Sequence, residues 1–117
     1  MKRLYRATLN TLRGFAHAFR SEQAFRQEAA ALLLGLPIGI FVAPSAAWYV
    51  AMIGSLLVIM AVELLNTAIE KLADHVTPEW NPKMRVVKDF GSAAVFCALA
   101  LAGLVWITAL AVRYGLI

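Results

Sequence analysis

Residues 29–62 read AAALLLGLPIGIFVAPSAAWYVAMIGSLLVIMAV and contain no charged side chain. A soluble domain of 117 residues could not bury such a run in its own core, so we expect lipid around it. The run is longer than the roughly 20 residues of one membrane crossing and therefore predicts two crossings. Pro44 should end the first helix because proline lacks the N–H that a helix interior uses, and Ser45 can cap the second.

A third uncharged apolar run, residues 93–112, also has spanning length. The hydrophobic fraction of 62% agrees with a membrane protein. We therefore predict an all-α membrane protein with one domain over residues 1–117. Its parts are a surface helix over 1–27, a first span near 29–45, a second near 47–70, a cytoplasmic loop over 71–87 and a third span near 90–113. The single cysteine, Cys97, excludes an intrachain disulfide.

Basic residues are concentrated before the first span and between the second and third spans. They are Lys2, Arg3, Arg6, Arg13, Arg20 and Arg26 in the first group, and Lys71, Lys83, Arg85 and Lys88 in the second. The positive-inside rule then predicts a cytoplasmic N-terminus. This topology and attraction to anionic lipid explain the net charge of +4, so no nucleic-acid partner is needed.

The N-terminal segment has the periodicity of an amphipathic helix. Apolar or aromatic residues recur three or four positions apart, at Tyr5, Leu9, Leu12, Ala16 and Phe19, while Arg6, Arg13 and Arg20 recur every seventh position. The pattern predicts a helix lying in the membrane interface, serving either as a simple anchor or as a cover for the cytoplasmic end of the bundle.

Four polar residues at the end of the second span, Glu63, Asn66, Thr67 and Glu70, have the spacing of one helical face. Glu63 should lie roughly 12 Å deeper than Lys71 along the helix axis. An ionisable side chain at that depth is costly and normally has a function, and a carboxylate there can act as a general base. The alternative is structural: Glu63 would be paired within the bundle, and Glu70 would form an ion pair with a basic residue on the helix surface.

Two further polar clusters lie at the same membrane boundary. The first, Glu22-Gln-Ala-Phe-Arg-Gln-Glu28, contains a possible surface ion pair between Glu22 and Arg26. Mg²⁺ is usually held by one or two carboxylates together with substrate phosphates, and Glu22 with Glu70 is the pair we expect to hold it. The second cluster, Lys88-Asp-Phe-Gly-Ser92, places a positive charge where a phosphate could bind, although Asp89 could be a helix-capping acid and Lys88 could extend to the headgroups.

These two strings, together with Glu63-Leu-Leu-Asn-Thr-Ala-Ile-Glu70, closely resemble the bacterial integral-membrane diacylglycerol kinase family in order, spacing and position. The resemblance implies a homotrimer of three-span subunits in the bacterial inner membrane, with active sites shared between neighbours. It implies transfer of the ATP γ-phosphate to 1,2-diacylglycerol, which gives phosphatidic acid for phospholipid recycling.

The resemblance also implies a role for each matching residue. Glu63 would be the general base, and Glu22 and Glu70 would hold Mg²⁺. The nucleotide and its phosphates would be bound by Asn66, Lys88, Asp89 and Arg3, while Arg26 and Ser92 would contact the lipid substrate beside Glu63. The N-terminal helix departs from the family pattern at Asn10, where the family has an aromatic residue, and the connecting loop departs from it at Trp80.

Two other functions stay open at this point. An undecaprenol kinase of the same family would phosphorylate a polyprenol in place of diacylglycerol. A small proton-coupled transporter would also use a glutamate inside the membrane, but it would need no ATP.

Overall fold

The structure is a computed structural model that describes residues 1–117, and it contains four helices and no strand. They are α1 (Lys2–Ser21), α2 (Gln23–Val42), α3 (Ala46–Val76) and α4 (Pro82–Arg113). Three of them, α2, α3 and α4, are long and apolar enough to cross a membrane. The prediction of an all-helical protein with three potential spans is therefore confirmed.

The break between the first two spans lies where the sequence places it. Helix α2 ends at Val42, and Ser45 accepts a hydrogen bond from the backbone N–H of Trp48 at 3.3 Å. This bond satisfies one of the N–H groups that have no partner in the first turn of α3. Pro44 and Ser45 thus end one helix and begin the next, as predicted.

Two boundaries differ from the sequence prediction. The segment expected to form a loop over residues 71–87 is mostly helical, and only residues 77–81 lie outside α3 and α4. Nothing between Glu70 and Val76 breaks a helix, whereas Asn81 caps α4 through the N–H groups of Lys83 and Met84, with Pro82 in the first turn. The helix predicted over residues 1–27 is divided at Glu22, whose backbone is extended.

Helix α3 packs against both α2 and α4. Small residues of α4, Ala98 and Ala102, lie against Ile59 of α3 and allow the two backbones to approach closely. The indole Nε1 of Trp106 donates to the carbonyl of Met52 at 3.0 Å. On the other side of α3, the Tyr49 hydroxyl donates to the α2 carbonyl of Leu36 at 2.9 Å. These contacts fix the first half of α3 between its two neighbours.

The glycines of α2 serve this packing. A Cβ added at Gly35 would come within 2.9 Å of the Leu56 side chain, and one added at Gly39 would come within 3.1 Å of the Tyr49 ring. Most large apolar side chains point outward, however, and only 15 of 117 residues are buried. The surface of the single chain is therefore suited to lipid or to other apolar protein surfaces.

Candidate active site

The polar stripe of α3 lies on the inner face of the helix. Glu63, Asn66 and Thr67 are each 8% exposed, and Glu70 at the end of the stripe is half-buried. Leu65 and Leu72, on the opposite face, are well exposed. The spacing that predicts one shared face is therefore confirmed, and the burial places these polar groups where α3 meets the rest of the chain.

Glu22 reaches this stripe from the joint between α1 and α2. Its Oε1 accepts a hydrogen bond from the Thr67 hydroxyl at 3.3 Å. Asn66, the residue before Thr67 in α3, donates from Nδ2 to Glu70 Oε1, also at 3.3 Å. The two carboxylates are thus positioned by neighbouring residues of the same helical turn. Glu22 and Glu70 each contact this stripe of α3, and their joint role in holding Mg²⁺ remains a prediction.

Glu63 has a second acidic neighbour, Glu28 of α2. The negative charges of these two carboxylates repel each other, and Glu63 also experiences the charges of Glu22 and Glu70. One Glu28 oxygen is buried without a hydrogen-bond partner. We call Glu22, Glu28, Glu63 and Glu70 the carboxylate cluster.

A cavity of about 360 Å³ opens beside the cluster between α2, α3 and α4. Glu28, Glu63 and Gln27 form its polar part, and the remaining lining is apolar, with Leu56, Ile59, Ala31, Ala24, Val95 and Leu99. Ligand sites commonly combine an apolar wall with a few convergent polar groups. The sequence alone offers no role for Glu28. The only local signal is that Glu28 is the last charge before the uncharged run.

Gly91 of α4 completes the environment of Asn66. Gly91 is buried, and a Cβ added to it would collide with Asn66 Oδ1. That oxygen is buried and has no hydrogen-bond partner. The absence of a side chain at Gly91 therefore makes room for Asn66 to stand between the two helices and hold Glu70. Nothing in the sequence alone singles out this contact.

Lys88 and Asp89, at the start of the Lys88–Ser92 cluster, form their ion pairs outside the carboxylate cluster. Lys88 Nζ pairs with Asp74 Oδ1 at 2.5 Å, and Arg85 pairs with Asp89 at 3.5 Å across one exposed helical turn. Lys88 and Asp74 line a cavity of about 110 Å³ beside the 77–81 connection. The proposed nucleotide contacts of Lys88 and Asp89 therefore remain predictions.

Three other predicted site residues make no side-chain hydrogen bond or ion pair with the cluster glutamates. The Arg26 guanidinium donates to the carbonyls of Phe19 and Arg20 at 2.9 and 3.1 Å, and so caps the C-terminus of α1. Ser92 and Arg3 are exposed on α4 and on the first turn of α1. The structure gives Arg26 a structural contact, while the binding roles of all three remain predictions.

The charges of the cluster fit a cation shared with a phosphorylated substrate. The two ion pairs of the chain involve Asp74 and Asp89, so no lysine or arginine pairs with any of the four glutamates. No three acidic, histidine or cysteine side chains converge closely enough to enclose a metal ion by themselves. Mg²⁺ typically accepts one or two carboxylates and completes its shell with water and phosphate oxygens. The donors present match that incomplete set.

Known proteins resemble this chain over nearly its whole length. Residues 9–110 match the family model described as prokaryotic diacylglycerol kinase. A diacylglycerol kinase of Pseudomonas aeruginosa is 40% identical over 110 residues, which cover 94% of this chain and 89% of that protein. The corresponding kinase of Haemophilus influenzae is 38% identical over 88% of this chain and 87% of its own. That of Escherichia coli is 35% identical over 97% and 93%.

Proposed function

Because the chain belongs to the prokaryotic diacylglycerol kinase family, we propose that it is an ATP-dependent lipid kinase whose substrate is 1,2-diacylglycerol and whose product is phosphatidic acid. The relatives are named for this substrate and cover nearly the whole chain. We place the enzyme in phospholipid recycling at the bacterial inner membrane.

The apolar cavity beside the carboxylate cluster is the observation that supports this activity most directly. A lipid alcohol needs an apolar surface for its chains and a polar group for its hydroxyl. The cavity provides both, with Glu63 and Glu28 at its polar part and the side chains of Leu56 and Leu99 along its wall. A soluble sugar or amino-acid substrate would leave the apolar wall without a partner.

In the proposed reaction, Glu63 accepts the proton of the lipid hydroxyl. The hydroxyl oxygen forms a bond with the γ-phosphorus of ATP, and the bond between that phosphorus and the bridging β,γ-oxygen breaks. The bonding electron pair leaves with ADP, and the proton remains on Glu63. Phosphoryl transfer depends mainly on positioning and on charge stabilisation, so holding Glu63 in place is the principal task of α3. Its burial on the inner face of α3 serves that purpose.

Glu22 and Glu70 would hold Mg²⁺ together with ATP phosphates, since Thr67 and Asn66 position these two carboxylates on one helical turn. When bound, the ion would neutralise charge on the phosphates. Asn66 keeps the Glu70 carboxylate directed toward the cluster by donating to one of its oxygens. Lys88, Asp89 and Arg3 would contribute to nucleotide binding, and Arg26 and Ser92 to lipid binding.

We further propose a homotrimer with sites shared between subunits, an interfacial position for α1, and a cytoplasmic N-terminus. The basic residues of α1 and the 77–88 region favour that orientation. In its own chain Lys88 contacts Asp74 and none of the cluster glutamates. In a shared site, the Lys88 beside the carboxylate cluster would therefore come from a neighbouring subunit. The broad exposed apolar surface is compatible with subunit contacts.

A labelling assay tests the activity. Purified protein in mixed lipid and detergent micelles receives γ-labelled ATP and Mg²⁺ with diacylglycerol, with undecaprenol, or with neither. We expect labelled phosphatidic acid in the first reaction and much less product in the second. Preferential labelling of undecaprenol would change the substrate assignment. If neither lipid is labelled and the protein instead carries protons into vesicles without ATP, the kinase assignment is wrong and the transporter hypothesis is supported.

A mixing experiment tests the shared site. Glu63→Gln and Lys88→Met chains, each inactive alone, are co-expressed and purified as mixed oligomers. Sites that combine residues from two subunits should recover a fraction of the wild-type activity in the mixture. No recovery, with mixed oligomers verified by two affinity tags, would contradict sharing of these two residues.

A further inference from the structure

A second cavity, bordered by α1, has features unlike those of the carboxylate site. It has a volume of about 410 Å³ and lies between α1 and α3. Phe15 of α1 and Leu64 and Ala68 of α3 provide apolar lining, and His17 and Lys71 are among its polar residues. We call it the α1–α3 cleft. It combines an apolar interior with Lys71 of α3 and the imidazole of His17 of α1.

Lys71 is available to a ligand in this cleft. Its neighbour Glu70 points elsewhere, because consecutive residues of a helix are rotated by about 100° around its axis, and Glu70 is held by Asn66. The two ion pairs of the chain do not involve Lys71. The imidazole of His17 has a ring N–H that can donate to the same ligand. The cleft therefore has a positive charge and an additional donor without a carboxylate partner.

The Glu22 carboxylate beside Thr67 limits where an anion can lie in the cleft. Thr67 lines the cleft and donates to Glu22, so a negative ligand is disfavoured near Thr67 and favoured near Lys71, one turn further along α3. The Thr11 and Ser21 hydroxyls already donate to carbonyls of their own helix. The phosphate donors are thus Lys71 and His17.

We propose that the α1–α3 cleft binds one anionic phospholipid, with its phosphate at Lys71 and His17 and its acyl chains along Phe15, Leu64 and Ala68. Free phosphate would use the basic residues but leave the apolar lining unoccupied, and a zwitterionic lipid would gain less from the unpaired lysine. This lipid is separate from the lipid alcohol that the carboxylate cavity would receive, because Lys71 and Glu63 face different cavities.

The test uses the full chain in phosphatidylcholine vesicles that contain a trace of spin-labelled phosphatidylglycerol or spin-labelled phosphatidylcholine. Electron paramagnetic resonance measures the motionally restricted fraction of each lipid without ATP or diacylglycerol, so the result does not depend on the kinase assignment. The wild type should restrict phosphatidylglycerol preferentially. Lys71→Gln should reduce that preference about fivefold, the usual contribution of one basic residue near an anionic surface.

Two further variants distinguish lipid binding in the α1–α3 cleft from general electrostatic attraction to the protein surface. Lys83→Gln removes the same charge from an exposed position outside the cleft and should change the preference much less. Gly14→Leu keeps every charge but fills the cleft, since a Cβ at Gly14 meets no atom within 4 Å, and it should also abolish the preference. Circular dichroism verifies that each variant keeps its helices.

If Lys71→Gln and Lys83→Gln reduce the lipid preference equally, surface charge alone explains that preference and the proposal is overturned. Unchanged preference in Gly14→Leu would overturn it as well, because the acyl chains would then lie elsewhere. Displacement of the labelled lipid by inorganic phosphate at constant ionic strength would assign the site to free phosphate in place of a lipid.

Discussion

Replacing Gly91 with alanine should disturb the carboxylate cluster without placing any atom on it. The new Cβ would collide with Asn66 Oδ1 and would lie 3.2 Å from Asn66 Cγ. The neighbouring atoms belong to a side chain, so Asn66 can turn away. In doing so it would give up its hydrogen bond to Glu70, which is 3.3 Å long. Glu70 would then lose the contact that positions its carboxylate.

The expected effect on stability is smaller than the effect on activity. Inserting a methyl group into a packed site costs about 1–3 kcal/mol, and alanine gains about 1 kcal/mol over glycine inside a helix. The net loss should therefore be about 0–2 kcal/mol in unfolding free energy, which leaves the protein folded. A displacement of about 1 Å at a positioned group can reduce turnover by up to about a hundredfold. We expect kcat/KM to fall between about tenfold and a hundredfold.

The assay is lipid phosphorylation together with unfolding in mixed micelles. Gly54→Ala is the matched control, because a Cβ at Gly54 meets no atom within 4 Å, so activity should persist and stability should not fall. In the Gly91→Ala background, Asn66→Ala removes the collision, and the double variant should lose less stability than the sum of the single variants. If Gly91→Ala matched Gly54→Ala in both activity and stability, the close contact would have no functional meaning.

Three further variants separate chemistry from structure. Glu63→Gln should lower turnover by at least about a hundredfold, because an amide accepts no proton from the lipid hydroxyl. The unfolding free energy should not change enough to explain this loss. Normal turnover in this variant would exclude Glu63 as the general base. Trp106→Phe deletes the 3.0 Å donor to α3 and should cost about 0.5–1.5 kcal/mol in unfolding free energy while activity stays near normal. Arg26→Gln removes both donors that cap the C-terminus of α1, so amide hydrogen exchange should accelerate in the last turn of α1 and stay unchanged in α4. Uniform acceleration in both helices would indicate general destabilisation.

The sequence predicted the helical elements well because their causes are local. The uncharged runs determine the number of spans, and Pro44 with Ser45 determines the break between α2 and α3. The end of α3 was missed because hydropathy reports where a helix leaves the apolar layer and does not report where it stops. Helix α3 continues to Val76, and α4 begins after the cap at Asn81. Both limits follow from turn and capping residues.

The site was predictable only where its residues share one helix. Glu63, Asn66, Thr67 and Glu70 are related by helical periodicity, so their common face follows from spacing alone. The contact of Glu22 with Thr67 depends on the angle between helices, which no local pattern contains. The space that Gly91 leaves for Asn66 likewise depends on interhelical packing. Contacts between helices were therefore the feature of the site that could not be predicted from the sequence.

The joint between α1 and α2 restricts how the length of this chain can change. Glu22 is the one residue between the two helices and also carries a carboxylate that contacts Thr67. An insertion or deletion there would shift that carboxylate along the chain or separate Arg26 from the helix end that it caps. The connections at 43–45 and 77–81 contain none of the four cluster glutamates and can accommodate a changed residue count more easily. Length variants should therefore survive at the second and third connections and fail at the first.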